Sequence, residues 1–542
     1  MTNFTPDYID FLLFIIFIIL SYRICHFRTS KNLSHMKKVC LSILILLFQV
    51  MIMQAQNVNG LILSDTANLR VMKVWGTHYE RGFAYGYLSG DKILDMYENY
   101  FMLNYGGYMS TAHDVVQSGL FMKIDSNYVS EAKGILAGMD SAGYDVDSID
   151  HYDLLASNCL LDLLNALKMK GDNPMGCSSL MSWGIATLGT DLQGHSAITR
   201  HLDWSNDAAL LRNQVLIAHL PSESDEQAWA FIGFAGQFSA LSGFNMHFGT
   251  FQHMMSDFSG SPSIGNLYEP VWFALRRALE TRDANGDGQD DAADVKAVLS
   301  SNTSGFADGY IICSMGKSSA GSPEKIAEIA EVAPVAPFLT FRSNTFPDSI
   351  VGDNLYAANY EIRRNNHYHF CSRYYGAITG IGDGETIGSA QNWNIMRDHS
   401  VSLNPMGNIQ MMQYIPEENI FRLSVQKNGQ AAYENLPDTF LISSLLTHPA
   451  GISAIPAALS LKLWPNPAGE KIFLSAQIRE KGMISYRVTD LWGKIVLQGE
   501  TLATGSGTFT SELNTSGFAP GLYTVSMSGP GGHAMGKFVI LP

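Results

Sequence analysis

Cys177 is the residue in this chain with the chemistry of a nucleophile close at hand. It follows Gly176 and opens the run Cys177-Ser178-Ser179. Further on comes Arg200-His201-Leu202-Asp203-Trp204, with an arginine and an aspartate three residues apart. An arginine beside a thiol lowers its pKa and favours the thiolate. A thiolate so prepared attacks carbonyl carbon. A cysteine taken alone is more often a small buried hydrophobe or half a disulfide. The residues around Cys177 must therefore carry the case.

The elements that position this group read as follows. Leu180 to Thr187 and Ala197 to Leu202 are apolar runs separated by a Gly194-containing turn, which predicts a hairpin. Side chains alternate along a strand, so Arg200 and Asp203 cannot share a face without a bend or bulge between them. Upstream, Gly76 to Gly86 reads as a strand end entering a helix, and Glu131–Met139 and Tyr152–Leu167 read as helices. Downstream, Val215–Leu220 and Trp229–Phe234 have strand length, and Asn245 sits at a turn in a structural role. Residues 389–426, with Gln391 to Asn394 and Ile409 to Tyr414, read as closing strands of the same sheet. Between two expected helices, Glu269–Leu279 and Ala292–Ser300, lies an acidic loop. Asp283, Asn285, Asp287 and Asp294 take positions 1, 3, 5 and 12, with Gly288 at 6, the spacing of a calcium loop. The Gln289 carbonyl supplies position 7. Asp294 replaces the usual bidentate Glu, as in dockerin-like single loops. The expectation is a structural Ca2+; the plain alternative is a solvated acidic turn.

The 542 residues exceed one compact domain, and 46% hydrophobic residues suffice for a large core. A formal charge of -15 excludes nucleic acid as a partner, because phosphate binding needs a basic surface. Residues 1–56 read as an extension followed by a secretory signal, with Met36-Lys37-Lys38 opening the apolar run Val39 to Met53 and cleavage near Ala55. Met36 would then be the true start. The first run, Phe11 to Leu20, is too short to span a bilayer, so no membrane span is expected in the mature protein. Four cysteines remain after the signal: Cys159, Cys177, Cys313 and Cys371, and export permits a disulfide such as Cys313–Cys371. A Pro/Ala-rich linker at 446–460 separates residues 57–445 from a C-terminal stretch, 461–542, whose turn-punctuated strands predict a small all-β sandwich.

Gly176-Cys177-Ser178-Ser179, a strand, a turn and Arg200-His201-Leu202-Asp203-Trp204 resemble the N-terminal-nucleophile (Ntn) hydrolases of the penicillin acyltransferase, choloylglycine hydrolase and acid ceramidase group. Residues 57–176 are similar to that group's leader, through Gly76-x-x-Tyr79-x-x-Gly82-x-x-x-Gly86, the Gly134 to Gly138 helix and Asp153 to Asn158. The resemblance implies an α+β fold of four layers, αββα, over 57–445, with the chain cutting itself before Cys177 and the leader kept as the small subunit. It implies that the freed α-amine of Cys177 takes the thiol proton, that Asp203 orients the amine and that Arg200 supports the thiolate and contacts substrate. It places Asn359, in Leu355 to Tyr360, as an oxyanion donor, a role worth roughly 3 kcal/mol of barrier. Arg373 falls at the spacing of an arginine that closes the site. Ser256-Asp257 stands where relatives often carry a second oxyanion asparagine, a departure from the pattern. The implied activity is hydrolysis of a linear, non-peptide amide of a small molecule, or acyl transfer, through a thioester and with no catalytic cofactor. A linear amide, an N-acyl amino acid, an N-acyl lipid and a bile-salt-like conjugate all fit. Residues 461–542 resemble the sorting domain of the type IX secretion pathway, which implies that machinery as a partner and a final place outside the cell or on its surface. Two other readings compete: an inactive secreted binding protein on the same fold, and a cysteine peptidase pairing Cys177 with His201 or His253.

Overall fold

The computed structural model describes residues 58–167, 176–256, 259–364, 371–401, 404–449, 461–478, 482–489, 495–503, 507–529 and 532–541. The expected extension and signal (1–56), most of the expected linker, Asp257, His367 and His369 lie outside them.

Strands β1 (Gly60–Asp65) and β2 (Leu69–Gly76) lead into helix α1 (His78–Met96). Thr77 caps α1: its hydroxyl accepts from Glu80 N at 3.4 Å, and Glu80 Oε2 accepts from Thr77 N at 2.8 Å, a reciprocal capping box. A π turn (Tyr97–Phe101) separates α1 from α2 (Met102–Ser118), followed by α3 (Ser126–Ser141), α4 (His151–Asn158) and α5 (Leu160–Ala166). The glycines of the leader motif have a packing role. A Cβ on Gly82 or Gly86 would collide with the Glu131 or Ile135 carbonyl, and one on Gly134 or Gly138 with the Tyr79 or Phe83 carbonyl. Only bare glycine lets α1 and α3 approach backbone to backbone.

The hairpin β3 (Gly176–Ser182) and β4 (Ala197–Asp203) comes next. Its first arm stops at Ser182, because Gly184 at φ +54° turns the chain into a one-turn helix α6 (Ile185–Leu188); Thr187 therefore lies on a helix and not on the expected strand. Then follow α7 (Ala208–Arg212), β5 (Gln214–Pro221), β6 (Trp229–Phe234), β7 (Ser242–Asn245) and β8 (Phe248–Met254). Next are α8 (Val271–Glu280), α9 (Ala292–Ser300), β9 (Tyr310–Gly316), α10 (Pro323–Ile326), β10 (Ala327–Val332), β11 (Leu339–Arg342) and β12 (Asn354–Ala357). The domain ends with α11 (Ser372–Ile381), α12 (Ser389–His399), β13 (Asn408–Ile415), β14 (Ile420–Val425), β15 (Asp438–Leu441) and α13 (Ile442–Leu445). Gln391 to Asn394 thus belong to helix α12. Its mostly polar sequence obscures the helical face that Asn392, Trp393 and Met396 bury.

The strands form two sheets. One runs β1-β2-β5-β6-β7-β8-β9-β10-β11 and the other β12-β3-β4-β13-β14-β15. All neighbours are antiparallel except β2 and β5, which are parallel, because helices α1 to α5 and the β3–β4 hairpin intervene. The sheets face each other across one apolar core: Met181, Ile198, Leu355, Met412 and Phe421 meet Leu216, Ile232, Phe244, Phe251, Ile311 and Ile329. Helices α1, α8 and α9 pack on the longer sheet, and α11 and α12 on the shorter one. The leader contributes β1 and β2 to the longer sheet, so it is built into the body. Cys159, Cys313 and Cys371 are all free thiols, leaving the expected Cys313–Cys371 pair unmade.

The described residues of 461–541 form, as expected, strands: β16 (Lys462–Trp464), β17 (Lys471–Ile478), β18 (Gly482–Thr489), β19 (Ile495–Ala503), β20 (Gly507–Asn514), β21 (Gly521–Gly529) and β22 (Gly532–Ile540). Sheets β16-β17-β20 and β19-β18-β21-β22 enclose Ile472, Leu474, Ile484, Val488, Leu513, Val525 and Phe538.

A buried ion network joins the leader to the body. His78 lies between Glu131 Oε2 (2.8 Å) and Glu226 Oε1 (2.7 Å). Arg276 donates to Glu131 (2.6 Å) and Glu280 (3.0 Å), and Arg81 to Glu226 (3.0 Å). Tyr128 OH donates to Glu280 at 2.7 Å. Removing one partner from such a network costs about 3–5 kcal/mol. Burial opposes charge on His78, but its hydrogen bonds to Glu131 and Glu226 outweigh it and raise the imidazolium to about 9. A raised folded pKa means stabilisation that is complete below the unfolded value and lost as pH rises through about 9. The thermal unfolding midpoint is expected to drop across that range and to do so less in His78→Gln; a flat wild-type profile through the same range would contradict the network's role.

Candidate active site

The β3–β4 register sets the site. Gly176 pairs with Asp203, Cys177 with Leu202 and Ser179 with Arg200. Alternation puts Cys177, Ser179 and Arg200 on one face. Arg200 Nη2 reaches Cys177 Sγ at 3.4 Å and also donates to Gln252 O at 2.9 Å. Strand β4 is unbroken, so no bulge separates Arg200 from Asp203. The irregularity is on the neighbouring strand β13, between Asn408 and Gln410. Asp203 comes to the site because it faces Gly176 at the open end of the hairpin. A Cβ on Gly176 would lie 3.2 Å from both Cβ and Oδ2 of Asp203 and 3.6 Å from Arg373 Nη1. A side chain before the cysteine would press on the carboxylate, and the bare glycine leaves it room over the peptide.

Asn359 follows β12, which pairs with β3 through Ala357 and Ser179. Its Oδ1 accepts from Cys177 N at 2.9 Å and from Arg373 Nη2 at 2.6 Å, while its Nδ2 donates to Met254 O at 2.7 Å. In the intact chain the carboxamide therefore presents its oxygen to the Gly176–Cys177 peptide, and one of its donors is held by Met254. Arg373, at the start of α11, donates to Cys177 O at 2.6 Å and lies 3.7 Å from Asp203 Oδ2. Asn408 holds the other Asp203 oxygen at 2.8 Å. The structure thus gathers Arg200, Asp203, Asn359 and Arg373 around Cys177 and the glycine before it. Ser256 is also adjacent, but through its backbone N–H, which donates to Asn359 O at 2.7 Å.

The thiol is fully buried. Burial pushes its pKa up, against the Arg200 guanidinium, so the net direction is opposite to that expected from the arginine alone. Burial likewise raises the Asp203 carboxyl, with Asn408, Arg373 and Arg200 pulling it down. Among the described residues, Asp203 Oδ2 and Arg200 Nε and Nη1 have no hydrogen-bond partner. These are the site's unused acceptor and donors.

The two histidines weighed as bases are placed differently. His201 pairs with Ser178, on the face of the hairpin away from Cys177. Among the described residues neither of its nitrogens has a hydrogen-bond partner, and burial depresses it to about 3. His253 on β8 has both nitrogens engaged: Nε2 with Ser179 Oγ at 2.8 Å and Nδ1 with Ala358 O at 3.0 Å. Sequence reasoning missed its bracing contacts, and also Gln252, Met254 and Asn408. The available signal was a buried Gln252-His253 pair inside the apolar run Phe248–Met254.

A small aromatic hollow adjoins the group, lined among others by Tyr100, Phe101, Trp204, Phe234 and Trp272. Trp204 follows Asp203, and Trp272 Nε1 donates to Gln252 Oε1 at 3.1 Å. The π turn supplies Tyr100 and Phe101, and such turns often mark functional sites.

The acidic loop closes on itself through a ladder of side-chain turns. Asp283 Oδ2 accepts from Gly288 N (2.9 Å), Asn285 Oδ1 from Asp287 N (2.9 Å) and Asp287 Oδ1 from Gln289 N (3.0 Å). Asp294 accepts from Asn285 N (3.0 Å) and Asp291 N (2.9 Å), and burial raises it to about 6. Lys325 Nζ pairs with Asp287 and lies 3.4 Å from Asp291 Oδ2. The carboxylates that converge at metal-ligand spacing among the described residues are elsewhere: His78, Glu226 and Glu280, and His113, Asp150 and Asp153. The first of these groups is threaded by Arg276 and Arg81, which already supply its positive charge.

Residues 462–541 match the family described as the secretion system C-terminal sorting domain. The C-terminal sandwich is therefore a type IX sorting domain, and the chain is exported across the outer membrane to the cell surface or beyond. Among the described residues no helix is long and apolar enough to cross a membrane. A search of curated proteins finds no match. Among solved structures one similarity is to PorZ of Porphyromonas gingivalis, described as an essential bacterial surface component of the type-IX secretion system. It has 20% identity over 23% of this chain and 15% of that chain, with a TM-score of 0.13.

If Arg200 supports the thiolate, Arg200→Met will slow Cys177 alkylation severalfold at neutral pH and move its pH dependence upward, read by intact mass. An unchanged pH dependence would contradict that role.

Proposed function

We propose that the chain is an autoproteolytic Ntn hydrolase that cleaves a linear amide through Cys177, in an αββα domain. The observation that carries this reading is the convergence of four side chains on Cys177 and the glycine before it. Asn359 holds the amide N–H, Arg373 the Cys177 carbonyl, Arg200 the sulfur, and Asp203 closes over Gly176. In the first step Sγ attacks the Gly176 carbonyl carbon. The Gly176–Cys177 C–N bond breaks, the nitrogen takes a proton, and a thioester forms. Water then releases the Gly176 carboxylate and the thiol. The nitrogen so freed is the α-amine of Cys177, placed between Asn359 Oδ1 and the Asp203 carboxylate, which can orient it. That amine takes the thiol proton, Sγ attacks a substrate amide, and the proton leaves with the departing amine. Water hydrolyses the acyl thioester; a second amine would take the acyl group instead. The unused Arg200 donors suit a substrate oxygen.

The Cys/His peptidase reading is disfavoured by both histidines, one on the wrong face and one with both nitrogens committed. For the acidic loop, Asp283, Asn285, Asp287, Asp294 and the Gln289 carbonyl would hold a structural Ca2+ in place of the Lys325 ammonium; its ladder of turns supports this reading. In that case added Ca2+ will raise the unfolding midpoint of the wild type and not of Asp283→Ala.

The test of the hydrolase reading is acyl-enzyme trapping on a panel of p-nitroanilide amides. One acyl mass should appear on the fragment beginning at Cys177 and disappear with hydroxylamine. Asn359→Ala, which removes the oxygen that holds the Cys177 nitrogen, should lower kcat with little change in KM. Turnover with no acyl mass on that fragment would sink the reading.

A further inference from the structure

We propose that His253 is a positioning residue, the side chain through which the facing sheet fixes Asn359 and the strand of Cys177. This rests on the hydrolase reading above. Strand β8 belongs to the longer sheet, yet three consecutive residues of it each hold one part of the site on the shorter sheet. Gln252 O accepts from Arg200 at 2.9 Å. Met254 O accepts from Asn359 Nδ2 at 2.7 Å. Between them, His253 bonds Ser179 Oγ at 2.8 Å, two residues along β3 from Cys177, and Ala358 O at 3.0 Å, the carbonyl next to Asn359. Arg200 and Asn359 are thus held by backbone groups of β8, which substitution cannot delete. His253 is the side chain that ties β8 to β3 and to the end of β12 at once.

Its chemistry follows from its partners. A carbonyl only accepts, so Nδ1 carries the proton toward Ala358. Nε2 is then bare and accepts from the Ser179 hydroxyl. The ring is neutral in this tautomer. Burial first, and Arg200, Arg373 and Arg342 with it, hold its pKa well below the ordinary histidine value. A neutral ring with both nitrogens engaged carries no proton to or from Cys177. What it can do is set the height of the Ala358–Asn359 peptide above β3, and hence the position of Asn359 Oδ1 at the Cys177 N–H. An error of about 1 Å in such a group can cost on the order of 100-fold in rate.

The test is the self-cleavage rate of the full-length chain during cell-free synthesis, followed by intact mass for wild type, His253→Asn, His253→Gln and His253→Ala. Asparagine puts its amide nitrogen at the level of Nδ1 and can still donate to Ala358 O; glutamine reaches the level of Nε2 and serves Ser179 instead. The expected result is cleavage in H253N within about threefold of wild type and slowed about tenfold or more in H253A and H253Q. All four proteins should show the same pH dependence of the cleavage rate and similar unfolding midpoints. H253A cutting at the wild-type rate would overturn the proposal alone. So would H253N as slow as H253A, and a pH profile that changes with the histidine would make it an acid or base. A wild-type chain that stays uncut would sink the hydrolase reading, and this proposal with it. Should H253A fail to fold, the comparison of H253N with H253Q decides.

Discussion

The register of the β3–β4 hairpin is the constraint on which the site depends. Pairing Gly176 with Asp203 and Ser179 with Arg200 places the guanidinium diagonally across from the thiol and the carboxylate opposite the glycine. A slip by one residue would send Arg200 to the other face and leave the sulfur without a cation. The neighbouring strands complete the arrangement from either side. The chain leaving β12 delivers Asn359, and the first residue of β13, Asn408, holds Asp203. Four strand ends thus meet at one edge of the shorter sheet. The opposing sheet supplies the backing, because β8 accepts from Arg200 and Asn359 through its carbonyls.

Much of this was legible in the sequence, and the parts that were not have physical reasons. The hairpin, the β2–α1 junction and helices α8 and α9 follow from local periodicity and caps. So does the C-terminal sandwich. Thr187 was misplaced because a positive φ at Gly184 ends the strand five residues earlier than apolarity suggests. Gln391 to Asn394 were misplaced because a mostly polar stretch hides its helical face. The bulge expected in β4 lies instead opposite it, in β13, a tertiary fact that spacing within one strand cannot carry. The thiol's direction of shift was misjudged for the same kind of reason. Arg200 is visible in the sequence, but the complete burial that outweighs it is not. Nor was the ion network, whose members lie as far apart as His78 and Glu280.

The burial of Cys177 also bears on export. A free thiol exported through an oxidising compartment is open to disulfide exchange. In the intact chain Cys177 is fully buried, with Arg200 at its sulfur and Arg373 over its carbonyl. Its chemistry is thereby limited to the peptide bond directly before it. The segment before it, residues 58–167, is held by β1 and β2 within the longer sheet, by the glycine seam of α1 and α3, and by the His78 network. A cut at Gly176 would therefore leave the two pieces joined through buried contacts.

The central claim is that the chain breaks its own Gly176–Cys177 bond with the Cys177 thiol. N-terminal sequencing and intact mass of the purified full-length protein, beside Cys177→Ala, test it most directly. The account predicts a new N-terminus at Cys177 in the wild type, with both fragments co-purifying, and a single uncut chain in the variant. An uncut wild type, or a cut at the same bond in Cys177→Ala, would contradict it.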